Sequence, residues 1–164
     1  MKKHILGWGL ALAIASGGVA AAGTPAQEDP ALAKLQQMVG NLGYSTTTAS
    51  DNQSFGFQWQ TNYNYTINFE ISKDATLAYA YVRLGTLGPD KLAKLDYAKL
   101  LEDDDTGDFY FSMEKQQDGA SEVLYGNMVV PMSGLTPERL RGQLQAMGNK
   151  LDQSAATWDY SLWK

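Results

Sequence analysis

The sequence predicts an α+β fold: an antiparallel sheet, built as a meander plus a hairpin, covered on one face by three helices in the order α-ββββ-α-ββ-α. Three observations carry this. Tyr63, Tyr65, Ile67, Phe69 and Ile71 alternate with Asn64, Thr66, Asn68, Glu70 and Ser72, the period of two of a strand with one buried and one wet face. β-rich runs follow one another closely and do not alternate strictly with helices. Three segments carry helical apolar spacing and begin at Asp29-Pro30, Gly88-Pro89-Asp90 and Thr136-Pro137, each with proline at the first helical position.

Residues 1–22 are expected to be a signal peptide. Lys2 and Lys3 precede the apolar run Ile5 to Val19, and Ala20-Ala21-Ala22 supplies small residues for cleavage. The run is short and rich in Gly and Ala, which disfavours a membrane anchor, so the expected location is periplasmic or secreted, in a bacterial setting. Residues 23–29 read as a polar linker, 30–158 as one domain and 159–164 as an aromatic tail.

Within the domain, Leu32, Leu35, Val39 and Leu42 define a helix over Pro30 to Leu42, closed by Gly43. Tyr44 to Thr48 is rich in β-branched residues and reads as a strand. Ser50-Asp51-Asn52 is turn chemistry, and Phe55, Phe57 and Trp59 alternate through a strand over Ser54 to Gln60. The Tyr63 strand follows, then a hairpin near Lys73-Asp74 into Thr76 to Leu84. A two-residue loop there sets Ala78, Ala80 and Val82 beside Phe69, Ile67 and Tyr65; a three-residue loop sets Leu77, Tyr79 and Tyr81 there instead. The first is favoured, because small side chains leave room for a helix, and it leaves Tyr79 and Tyr81 on the outer face.

A second helix is expected over Pro89 to Leu101, on Leu92, Leu95 and Leu100. Phe109, Phe111 and Met113 start a hairpin whose turn is Asp118-Gly119 and whose return strand is Val123 to Val130. Leu140, Leu144, Met147 and Leu151 define the last helix, Pro137 to Gln153.

Composition excludes several chemistries. The chain has no Cys, and its one His is His4, inside the leader. A mature chain would therefore lack a thiol nucleophile, an imidazole base and His- or Cys-ligated zinc, which removes the Ser-His-Asp, Cys-His and HExxH arrangements. Loss of Lys2 and Lys3 moves the net charge from −5 to −7, which disfavours nucleic acid. No cofactor or metal is expected.

What remains is a set of surfaces. Trp59, Tyr65, Tyr79, Tyr81 and Tyr125 lie on or near predicted strands, with Trp158 and Trp163 in or near the tail. They are candidate binding residues for an extended protein segment or a sugar, because aromatic side chains bury large area at low entropy cost; packing within the domain is the simpler reading for most of them. Glu70, Glu114 and Glu122 are the strand carboxylates that could form an acid–base pair. Glu102-Asp103-Asp104-Asp105 reads as a solvated acidic turn, its alternative a weak calcium site or a basic partner.

The element order and local patterns resemble the type III secretion chaperone-like fold, and within it the YbjN-type branch. The resemblance lies in Asn41-Leu42-Gly43-Tyr44 closing the first helix and in the Ile67-Asn68-Phe69 strand with its partner. It continues through Ala98-Lys99-Leu100-Leu101-Glu102 into Phe109-Tyr110-Phe111-Ser112, and through Pro131 to Leu135 and the last helix, ending near Trp158. It spans about residues 30–158 and implies a small, non-enzymatic protein-binding or chaperone-like module, often a homodimer. Secretion chaperones work in the cytoplasm, so the leader is a departure from that pattern.

Overall fold

Asp29 starts the first helix, α1 (Pro30–Asn41): its carboxylate accepts from the Ala31 amide at 2.7 Å, satisfying one of the donors a helix N-terminus leaves free. The computed structural model describes residues 29–103 and 108–163. The leader, the linker through residue 28, and Asp104 and Asp105 of the acidic turn lie outside the described residues.

Four strands follow: β1 (Thr46–Thr48), β2 (Ser54–Gln60), β3 (Asn64–Ile71) and β4 (Leu77–Leu87). Two short helices, α2 (Pro89–Leu92) and α3 (Tyr97–Asp103), lead to β5 (Phe109–Lys115) and β6 (Glu122–Pro131). Then come α4 (Pro137–Gln153), α5 (Ala155–Trp158) and a 3-10 turn over Tyr160–Leu162. All six strands form one antiparallel sheet in the order β1-β2-β3-β4-β6-β5. The predicted α+β class and the helix-covered sheet hold.

One side of the sheet presents Phe55, Phe57, Trp59, Tyr65, Ile67, Phe69, Ala78, Ala80, Val82, Met128 and Val130, which join Leu32, Leu35, Leu140, Leu144, Met147 and Leu151 of α1 and α4 in one buried core. Gly126 lets α4 approach closely: a Cβ there would stand 2.5 Å from Leu151 Cδ2 and 3.4 Å from the Phe109 ring. The opposite side is left open apart from its end near Val123, which is buried. It carries Gln58, Thr66, Asn68 and Glu70, then Tyr79, Tyr81 and Arg83, then Tyr125, Asn127 and Val129, none of them fully buried.

Three expectations are corrected in detail. The Lys73-Asp74 hairpin keeps the favoured inner face, but Phe69 opposes Ala80 and Ile67 opposes Val82, two residues from the register expected of a two-residue loop. The loop runs from Ser72 to Leu77, whose backbone groups meet at 2.9 Å, and Ala75 takes a left-handed φ of 56°. Asp74 closes it by accepting from Ser72 Oγ at 2.7 Å and from Thr76 Oγ1 at 2.8 Å. A slip of two preserves the face, whereas a slip of one would have inverted it.

The helix expected over Pro89 to Leu101 breaks in two, because Asp96 accepts from the Lys99 amide at 3.0 Å and so starts a new helix. Tyr44 and Ser45 lie outside β1; Tyr44 instead sets its ring 5.1 Å from both Phe57 and Trp59.

Candidate functional site

Four side chains form a diagonal across the middle of the open face. Glu70 on β3 stands directly opposite Tyr79, and Tyr81 on β4 opposite Asn68, so Glu70 and Tyr81 are diagonal neighbours. Tyr81 and Tyr125 are diagonal across β4 and β6, and Tyr125 and Glu114 across β6 and β5. Such neighbours lie within reach of long or aromatic side chains. The Tyr81 hydroxyl donates to Glu70 Oε1 at 3.0 Å. The Tyr81 and Tyr125 rings meet nearly edge to face, 6.2 Å between centroids and 77° between planes. Asn127 donates to Ser112 Oγ at 2.9 Å. These residues line a shallow depression of about 310 Å³, with the exposed carboxylates of Glu70 and Glu114 on its rim.

The two phenols are held in the neutral form. Partial burial pushes Tyr81 up to about 12, helped by the hydrogen bond to Glu70 and by its charge. Burial also raises Tyr125, and Glu114 adds to it while Arg83 works against it. Tyr65 and Tyr63 are raised on the covered side, first by burial and then by Asp152 and Asp159 respectively. A folded-state value above the ordinary 10.0 means the native chain keeps protons that the unfolded chain releases. Stability from these phenols is complete below about pH 10 and is expected to fall as the pH rises toward about 12. Denaturation midpoints across that interval check this, and Tyr81→Phe should flatten the fall.

The sequence-predicted binding residues separate onto two sides. Tyr79, Tyr81 and Tyr125 share the open face, with Tyr79 at 37% exposure. Trp59, Tyr65 and Trp158 are buried on the helix-covered side, and only the edges of Tyr65 and Trp158 reach a cleft. Parity explains this: Trp59 and Tyr65 face each other in the β2–β3 pair, on the side of Phe57 and Ile67. Trp158 on α5 packs 5.1 Å from Tyr63 and donates from Nε1 to the Leu151 carbonyl at 2.8 Å. Trp163 is partly buried beside Tyr160, over whose ring Lys91 Nζ sits at 3.2 Å. The tail therefore packs on its own domain.

Of the three strand glutamates, the sheet brings Glu70 and Glu114 to one depression and leaves Glu122 opposite Lys115 at the start of β6. Asp103, from the acidic turn, accepts from Thr157 Oγ1 at 3.0 Å. Among the described residues no group of three or more metal-ligating side chains is gathered, and no helix is long and apolar enough to cross a membrane.

Sequence reasoning missed a second feature. β3 and β4 pair only from Ile67↔Val82 to Ile71↔Ala78, while β4 continues along β6 to Leu87 with a bulge between Arg83 and Gly85. Where the strands part, a cleft of about 540 Å³ opens, lined by Tyr63, Asn64, Thr66, Arg83, Leu84 and Trp158 among others. The isolated Gly85 in a β run was the available signal.

The architecture has a solved counterpart. YbjN from E. coli, whose crystal structure is described as that of a candidate transcription regulator, is similar at a TM-score of 0.55 and 14% identity, over 76% of this chain and 87% of that one. The chain has a YbjN-like fold. Neither a family model nor a curated protein sequence matches it. At that identity the YbjN likeness concerns the fold alone, and the residues of the open face must be read for their own chemistry.

Proposed function

We propose that this is an exported, non-enzymatic protein-binding module that docks a basic partner protein on the open face of its sheet. The observation that carries the reading is the face itself. Exposed Tyr79 and Tyr110 and half-buried Tyr81, Tyr125 and Val129 lie on it, amid polar side chains and two carboxylates. Rigid aromatic side chains amid polar groups are the usual composition of a recognition surface. The YbjN-like fold supports a protein-binding or regulator-like role in general terms. The acidic chain and the exposed Glu70 and Glu114 disfavour direct contact with nucleic acid phosphates and favour a partner of opposite charge. Export rests on the leader, and the expected setting is the periplasm or the medium.

The test is retention of proteins from an envelope extract on the immobilised chain without residues 1–22. A basic protein should be retained, released by high salt, and lost when Tyr79→Ser and Val129→Asp are introduced into a chain that still melts cooperatively. Retention that survives both changes overturns the reading. So does a homodimer that those same changes dissociate, which would make the face an interface between copies.

A second reading, a carbohydrate or small-ligand binder, is favoured by the β3–β4 cleft, whose aromatic wall and amide and guanidinium groups suit a polar ring. Retention of glycans alone, with a change in tryptophan fluorescence reporting on Trp158, would put that reading first.

A further inference from the structure

Every charged group facing the depression on the open sheet bears on what it could hold. Two carboxylates flank it, Glu70 on β3 and Glu114 on β5, on strands separated by β4 and β6. Neither has an ion-pair partner among the described residues. The cation beside them, Arg83, lies on β4 opposite Tyr125 and donates to Thr86 Oγ1 at 2.8 Å. One nitrogen of its guanidinium is thus taken up along its own strand, while its charge still reaches Tyr125 and opposes the carboxylates there. Between the carboxylates stand Tyr81 and Tyr125, one ring turned nearly perpendicular to the other.

Perpendicular aromatic faces flanked by carboxylates are complementary to an organic cation. The ring faces carry negative quadrupole, and the carboxylates supply charge and acceptors. A metal ion fits less well. The carboxylates come from the two ends of a diagonal four strands wide, and tyrosine rings occupy the space between. An alkylammonium presents an apolar stem to the rings and a charged head to the rim.

We infer that the Glu70–Tyr81–Tyr125–Glu114 diagonal is the anchor site for a basic side chain, a lysine of the docked protein partner. This rests on the protein-binding reading above and names the contact that would decide its specificity. The hydroxyl of Tyr81 stays protonated and bonded to Glu70, so the ring is fixed in place before the partner arrives. Asn127 and Ser112 form the remaining wall of the depression and are bonded to each other.

The test follows tyrosine ring resonances by NMR in the chain without residues 1–22 while N-acetyl-lysine-N-methylamide is added. The uncharged N-acetyl-norleucine-N-methylamide serves as control. The Tyr81 and Tyr125 signals, assigned with Tyr81→Phe and Tyr125→Phe, should move with the lysine probe and stay still with norleucine. Glu70→Gln and Glu114→Gln should each weaken that binding about two- to five-fold, and together about tenfold. Both side chains are exposed, so the variants are expected to fold normally. Equal response to both probes, no response up to the solubility of the probe, or displacement of the lysine probe by millimolar magnesium or calcium would overturn the inference. The two proposals can fail separately. If the extract protein is retained equally by the Glu70→Gln, Glu114→Gln chain yet lost with Tyr79→Ser, the docking face stands and the lysine anchor falls.

Discussion

Trp158→Ala is expected to cost about 3–5 kcal/mol of stability, the usual range for removing a buried tryptophan. Trp158 is 7% exposed, its ring lies 5.1 Å from Tyr63 and 6.4 Å from Tyr65, and its indole N–H reaches the Leu151 carbonyl at 2.8 Å. Truncation would therefore open a cavity between α5 and β3 and leave the carbonyl without its indole donor. Urea or thermal unfolding measures this, with the midpoint expected to fall by roughly 10–20 °C for a domain of this size. Trp163→Ala is the control. Trp163 is only partly buried against Tyr160, and its loss is expected to cost about 1 kcal/mol. Equal, small losses at both positions, accompanied by loss of partner retention, would show that the tail docks on another molecule and not on its own domain.

The next largest effect is expected at Asp152→Ala, about 2–4 kcal/mol, the range for stranding buried partners of a charged acceptor. Asp152 projects from α4 and accepts from Thr61 Oγ1 at 2.8 Å, from the Asn62 amide at 3.2 Å and from the Tyr65 hydroxyl at 2.8 Å. One carboxylate thus ties the last helix to the β2–β3 turn and to a phenol on a side chain 3% exposed. Removing it takes the carboxylate acceptor from that phenol and leaves only the Thr61 hydroxyl beside it. A double-mutant cycle isolates the bond. Tyr65→Phe added to Asp152→Ala should cost less than the sum of the single changes, because the second change removes the stranded group. Strict additivity would mean that the Tyr65–Asp152 bond contributes nothing.

Much of the fold can be read in the residues. Ser54–Gln60 and Pro137–Gln153 form with the expected boundaries, because each has an unambiguous period and a strong start or stop signal. Thr136 caps the last helix by accepting from the Arg139 amide at 3.3 Å. Less clear stretches were altered by side chains that compete with the backbone. Asp96 divides one expected helix into two, and Asp74 lengthens a hairpin loop while keeping its parity. The candidate site was partly legible. Strand alternation predicted that Tyr79 and Tyr81 face away from the core if the two-residue loop were right, and they do. The pairing of Glu70 with Glu114 across four strands was not legible. Nothing local says that β6 inserts between β4 and β5, and that insertion brings the two glutamates to one depression.

The amino-acid order alone determined which side of the Ser54–Gln60 and Tyr63–Ile71 strands is wet, where the main helices begin, and that the chain has no thiol. These follow from neighbours a few bonds apart, where a period of two or a proline after a capping residue acts without help. Only the tertiary structure decided that the aromatic residues divide between two sides, that Trp158 belongs to the core, and that two glutamates distant in the chain frame a pair of tyrosines. Those outcomes depend on strand order and on the packing of α4 and α5, which are settled when the whole apolar surface is buried at once.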